Sequence, residues 1–129
     1  MNGRRLLDTN IIIALFAGED LVLRRLARQR EVFVSSIVVG ELYYGAFKSH
    51  HRKENLQRID EFVSHNTVLD CNAETARFYG QAKDNLRAIG RPIPENDLWI
   101  AATALQHDLK LVSRDAHFEL IRGLKHEIW

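Results

Sequence analysis

Very short apolar runs, each followed by a longer stretch of helical periodicity, recur along this chain. That alternation points to a parallel sheet covered on both faces. The runs are Arg5-Leu6-Leu7, Val32-Phe33-Val34, Thr67-Val68-Leu69 and Leu109 to Val112, with a short fifth at Glu127-Ile128. Between them the sequence predicts six helices. The first covers Ile11 to Phe16, capped by Asp8 or Asn10. The second covers Glu19 to Arg30, where apolar and charged residues fail to alternate and Val22, Leu23, Leu26 and Ala27 form a stripe. A third runs from Ile37 to about Lys48 after the cap Ser35-Ser36, and a fourth from Lys53 to Ser64 with Leu56, Ile59, Phe62 and Val63 inward. The fifth, Ala73 to Ile89, carries Ala76, Tyr79, Ala82 and Leu86 and stops at Gly90. The last starts near Pro94 and reaches about His107. The expected class is α/β, a three-layer α/β/α arrangement around a short, mainly parallel central sheet. In such sheets ligands bind outside the carboxyl ends of the strands.

Composition narrows the choice of function. A chain of 129 residues, 46% hydrophobic, suits one domain spanning 1–129. Both prolines fall in Arg91-Pro92-Ile93-Pro94, too short a segment for an interdomain linker. The single cysteine, Cys71, excludes an internal disulfide framework and a multi-cysteine zinc site. No apolar run is long enough to span a bilayer, and Met1-Asn2-Gly3-Arg4-Arg5 leads into stretches too broken for a signal peptide, so a cytosolic protein without a membrane partner is expected. Eighteen Lys and Arg against 17 Asp and Glu leave a net charge of +1, so any affinity for nucleic acid must come from local patches.

Four carboxylates stand out by position. Asp8 directly follows the first strand and Asp115 follows the fourth, after Ser113-Arg114. Asp8 has an ordinary reading as a helix cap, and Asp115 as a loop residue. Glu41 lies inside the apolar helix Ile37-Val38-Val39-Gly40-Glu41-Leu42-Tyr43-Tyr44-Gly45, where a carboxylate needs a cation or hydrogen bonds. Asp97 opens the apolar stretch to Leu105 in the first turn of its helix, where the helix dipole alone would favour it. As a set, two acids come from strand ends and two from the opening halves of helices at the same edge. Converging carboxylates raise one another's pKa or demand a cation. Oxygen ligands select hard divalent ions, Mg²⁺ or Mn²⁺, which serve phosphodiester hydrolysis. Asn10, Asn96 and Ser113 are uncharged neighbours able to orient ligands or water.

The segments Leu7-Asp8-Thr9-Asn10, Ser36 to Gly45, Asn96 to Ala104 and Leu111-Val112-Ser113-Arg114-Asp115-Ala116-His117-Phe118, in this order and spacing, make the chain resemble the PIN-domain family. Within that family it is similar to the VapC-type toxins of bacterial toxin–antitoxin pairs. The resemblance covers nearly the whole length. It implies a PIN-like fold and a metal-dependent endoribonuclease with Asp8, Glu41, Asp97 and Asp115 around one or two Mg²⁺ or Mn²⁺ ions. Asp8 and Asp97 would be direct ligands, and Glu41 and Asp115 would ligate or hold water on the metal. Hydrolysis would leave a 5′-phosphate and a 3′-hydroxyl. It further implies a homodimer, a small antitoxin partner with a basic side chain for the acidic pocket, and RNA substrates that include transfer RNA. Ser113 stands where the family often has threonine, which keeps a hydroxyl.

Other residues fit either function or plain structure. Arg24, Arg25, Arg28 and Arg30, the His50-His51-Arg52-Lys53 run, and Lys83, Arg87 and Arg91 could face RNA but suit solvated helix faces. Arg114 is the best single candidate for a substrate contact, and could equally pair with a carboxylate. Tyr43, Tyr44, Phe47 and Trp99 could stack on bases, though aromatics on apolar helices more often pack. His107 and His117 read as helix-end or loop histidines. Two rival functions remain: a receiver-type phosphoacceptor domain with Asp70 as acceptor, and a non-catalytic binding module on a similar fold.

Overall fold

The computed structural model describes residues 3–129; Met1 and Asn2, part of the segment read as no signal peptide, lie outside it. The chain runs β1 (Arg5–Leu7), α1 (Thr9–Phe16), α2 (Asp20–Ala27), β2 (Val32–Ser35), α3 (Ser36–Phe47), α4 (Arg52–His65), β3 (Thr67–Leu69), α5 (Ala73–Ala88), α6 (Glu95–His107), β4 (Lys110–Val112), a 3₁₀ turn (Ala116–Leu120) and β5 (His126–Glu127). The strands form one sheet in the order β3-β2-β1-β4-β5, with every neighbouring pair parallel. Crossovers between parallel strands are right-handed as a rule, which assigns α1–α4 to one face and α5–α6 to the other. Accordingly α3 packs on α4 and α5 on α6. Leu6, Leu7, Leu111 and Val112 of the two central strands have no exposed surface, as strands covered on both faces require.

Connections leave β1 toward β2 on one side, and the chain returns to β4 on the other. The direction of the connections thus switches between β1 and β4, and the carboxyl edge at such a point is where open α/β sheets bind ligands. Local chemistry fixes where the helices start and stop. The Ser35 hydroxyl accepts from Val38 N–H at 3.2 Å to start α3. Asn72 and Thr75 form a reciprocal capping box on α5. Asp108 ends α6 at φ 53°, a left-handed position that aspartate tolerates better than most residues. Among the described residues no helix is long and apolar enough to cross a membrane.

Three local expectations change. Helix α2 stops at Ala27, short of Arg30, and buries only Val22, while Leu23 faces solvent at 44% exposure. On α5 the inward residues are Thr75, Ala82 and Leu86, and Ala76 is exposed. The capping box and a Thr75 hydroxyl bond to Gln106 turn Thr75 inward, and the next residue is carried about 100° away around the helix. The fifth strand is His126–Glu127, one residue earlier than expected. It is held by Glu127, whose carboxylate accepts from Arg5 Nε at 3.0 Å and from the Trp129 indole at 2.6 Å.

Candidate active site

Asp8 sits at the end of β1 because its backbone N–H still belongs to the sheet, donating to Val112 C=O at 3.0 Å. Its side chain is buried at the start of α1. One oxygen accepts from Thr9 N–H at 2.8 Å and the other from the Ser113 hydroxyl at 2.7 Å. The cap role and the place in the acid group are thus met by different oxygens of one carboxylate. The Ser113 hydroxyl, fully buried after β4, also accepts from Asn10 Nδ2 at 3.3 Å and from Asp115 N–H at 3.1 Å. It ties the two strand ends together.

Glu41 projects from the middle of α3. Among the described residues it forms no ion pair with lysine or arginine; the Thr9 hydroxyl donates to one oxygen at 2.6 Å and Asn96 Nδ2 to the other at 3.2 Å. Asp97, next along α6, meets His117 Nε2 at 2.8 Å, and the other ring nitrogen lies 3.5 Å from Asp115. The four acids lie on one circuit that runs partly through backbone atoms and chain neighbours; side-chain contacts alone join Asp97 and Asp115, through His117. Ser113 links Asp8 to Asp115, His117 links Asp115 to Asp97, the neighbour Asn96 leads to Glu41, and Thr9 returns to Asp8. One donor atom each from Asp97, Asp115 and His117 falls within 4.8 Å of the others.

The electrostatics are those of a cluster short of positive charge. Burial pushes the Asp8 carboxyl above its ordinary 3.8, opposed by the bonds from Ser113 and Thr9 and reinforced by the charges of Glu41 and Asp115. Burial also raises Asp97, and the Asp8 charge adds to it; the His117 contact pulls the other way. Among the described residues, the one ion-pairing partner of these acids is His117. Hard oxygen donors, mutual repulsion and half-exposed Asp115 suit a divalent cation.

A carboxyl raised in the folded state favours folding below its unfolded value of 3.8, and that contribution is lost as pH rises through the folded pKa. In EDTA, Asp97→Asn should therefore unfold at a higher temperature than wild type, with the gap widening from about pH 4 toward neutrality. A gap between variant and wild type that is equal at pH 4 and pH 7.5 would contradict the cost that burial, and then the Asp8 charge, place on the Asp97 carboxylate.

Arg114 points away from the acids. Its guanidinium is bidentate on Glu19, at 3.1 and 2.7 Å, and its Nε donates to Trp129 C=O at 2.9 Å. The carboxylate-paired alternative is the one seen, and only its backbone N–H, donating to Asn10 at 3.3 Å, touches the circuit. Arg24, Lys83 and Arg87 likewise pair with Asp20, Glu95 and Asp84. Trp99 stacks on Tyr79, while Tyr44 and Phe47 remain exposed. Asp70, the receiver-type acceptor, follows the edge strand β3 and is exposed, away from the circuit.

Sequence reasoning missed Thr9 and His117. Thr9 sat in plain view between Asp8 and Asn10, and its hydroxyl had no assigned task. His117 lies two residues past Asp115, the spacing that brings its ring back to that carboxylate in a tight turn.

A parallel sheet with carboxylates gathered at its switch point is an architecture suited to a divalent cation. The PIN domain family matches residues 5–124. Ribonuclease VapC of Haemophilus influenzae is 40% identical over 127 residues, covering 96% of each chain. The tRNA(fMet)-specific endonuclease VapC of Shigella flexneri is 36% identical over 127 residues, again covering 96% of each. The crystal structure of DNA-bound VapBC from Salmonella typhimurium superposes with a TM-score of 0.90 at 32% identity, covering 100% of this chain and 99% of that one. This chain belongs to the PIN-domain family, in its VapC group.

Proposed function

We propose that this protein is a metal-dependent endoribonuclease, the toxin of a type II toxin–antitoxin pair. In this reading it is a single nuclease domain acting in the cytoplasm as a homodimer and silenced by a small antitoxin. The observation that carries the proposal is the circuit of four carboxylates, among the described residues ion-paired with no lysine or arginine, in a chain whose VapC relatives are ribonucleases.

Asp8, Asp97, Glu41 and Asp115 would hold one or two Mg²⁺ or Mn²⁺ ions, which supply charge neutralisation at the scissile phosphate and acidify water. The protein's own work is orientation. Ser113 and Thr9 N–H fix both oxygens of Asp8, and Asn10 steadies Ser113. Thr9 and Asn96 aim Glu41 into the group, where its carboxylate takes the proton of the attacking water. Asp115, half exposed, guides that water from the solvent side. The new bond forms between water oxygen and phosphorus, the bond to the 3′-oxygen breaks, and that oxygen takes up a proton from solvent, leaving a 5′-phosphate and a 3′-hydroxyl. Any RNA contact by Arg114 must compete with Glu19.

The binding-module alternative needs no such arrangement of acids. Partner-free protein incubated with total bacterial RNA and Mn²⁺ should give discrete new 5′-phosphate ends, absent in EDTA and with Asp8→Asn. The substrate class to look for first is transfer RNA, with tRNA(fMet) the leading candidate by likeness to the Shigella relative. Folded, Mn²⁺-loaded protein that leaves every RNA intact would overturn the nuclease reading.

A further inference from the structure

We infer that His117 is a nitrogen ligand of the cation held by Asp97 and Asp115, and that it tilts the centre toward Mn²⁺ over Mg²⁺. This rests on the metal-dependent reading above and goes beyond its all-carboxylate ligand set. The imidazole stands between two acids on different elements, with Nε2 at 2.8 Å from Asp97 and Nδ1 at 3.5 Å from Asp115. Adjacent ligands in an octahedral shell with bonds of about 2.1 Å lie roughly 3 Å apart. The Asp97–His117 separation is already that of neighbouring ligands, and all three donor atoms fall within 4.8 Å.

The ring is also held where it stands. His117 belongs to the 3₁₀ turn Ala116–Leu120, and its ring lies 4.9 Å from that of Phe118, which is fully buried. Its side chain keeps 26% of its surface exposed, so an ion and its waters can approach. A nitrogen donor matters because Mg²⁺ favours oxygen ligands and sheds water reluctantly, whereas first-row transition ions accept imidazole readily. If the ring instead only steadies Asp97 by a hydrogen bond, it acts on both ions alike.

Two measurements separate these cases. Pulsed electron paramagnetic resonance of the Mn²⁺-loaded wild-type protein should show the ¹⁴N coupling of a directly bound imidazole, and His117→Gln should abolish it. Equilibrium dialysis should show His117→Gln losing roughly tenfold or more in Mn²⁺ affinity, with Mg²⁺ affinity changed less than about twofold. Bound Mn²⁺ without nitrogen coupling, or equal losses for both ions, would overturn the ligand role and leave a positioning residue. The wild-type spectrum decides the matter even where the variant folds poorly. Failure of wild type to bind Mn²⁺ at all is a different result, which removes the metal-dependent reading together with this one.

Discussion

Asp97→Asn is expected to reduce RNA cleavage by about a thousandfold or more while leaving the fold and capture of the antitoxin intact. Loss of an outer partner of a metal ligand costs roughly 10–100-fold, and removal of one preorganised electrostatic contact at a reacting centre costs about 10²–10³-fold. Asp97 is proposed as a direct ligand, so its loss should sit at or beyond the upper end. The amide can keep the contact with His117, since the ring nitrogen can accept where it formerly donated, and α6 keeps its first-turn acid in Glu95. The same change removes a charge that burial and Asp8 make unfavourable, so a dead enzyme with a more heat-resistant metal-free form is the expected pairing. A single-turnover assay beside a melting curve in EDTA reads both. Cleavage within tenfold of wild type would remove Asp97 from the ligand set.

The second large effect concerns Phe118. This ring is fully buried, stacked obliquely on His117 and 6.0 Å from the ring of His126. Truncating a buried phenylalanine to alanine costs about 3–5 kcal/mol. That is a large share of the 5–15 kcal/mol by which domains are typically stable. For a chain between the usual size classes the melting temperature should fall by roughly 10–20 °C. The loss would not stop at stability. His117 loses the wall it leans on, and His126, which meets Ser113 C=O at 2.9 Å, loses its packing. Mn²⁺ affinity should therefore drop in Phe118→Ala even at temperatures where the protein stays folded. A melting shift below about 3 °C would mean that the turn refills the space and that its packing does not hold the centre.

How far the sequence could be read depended on what kind of signal each residue carried. Asp8 was legible because a charged residue ends an apolar triplet, and Glu41 because it interrupts an apolar helix. Both are discontinuities in a one-dimensional pattern. Asp97 and Asp115 became legible only as members of the set. His117 was not, because its meaning depends on a turn that bends it back to Asp115 and on a helix start 20 residues earlier. Adjacency left two readings of Arg114 open, substrate contact or carboxylate pair. It follows a buried serine and precedes an acid of the circuit, and its side chain pairs with Glu19. On α5 the expected Tyr79, Ala82 and Leu86 do face the core, and Ala76 alone turns outward. Alanines at 76 and 82 look alike to a periodic reading, and a hydroxyl bond from Thr75 to Gln106 decides which face turns inward.

The join between Asp8 and Ser113 spans 105 positions of sequence. A ribosome adding roughly 5–20 residues per second needs on the order of 5–20 s to cover that distance. Throughout that interval the emerging polypeptide carries Asp8, then Glu41, then Asp97, with the free edge of β1 still waiting for β4. The hydroxyl that locks the first acid and the turn that brings His117 to the third are both made last. Contacts of such high sequence separation form late and close together in time. Until Ser113 and Asp115 have been delivered, a nascent chain therefore lacks the residues that complete the acid circuit.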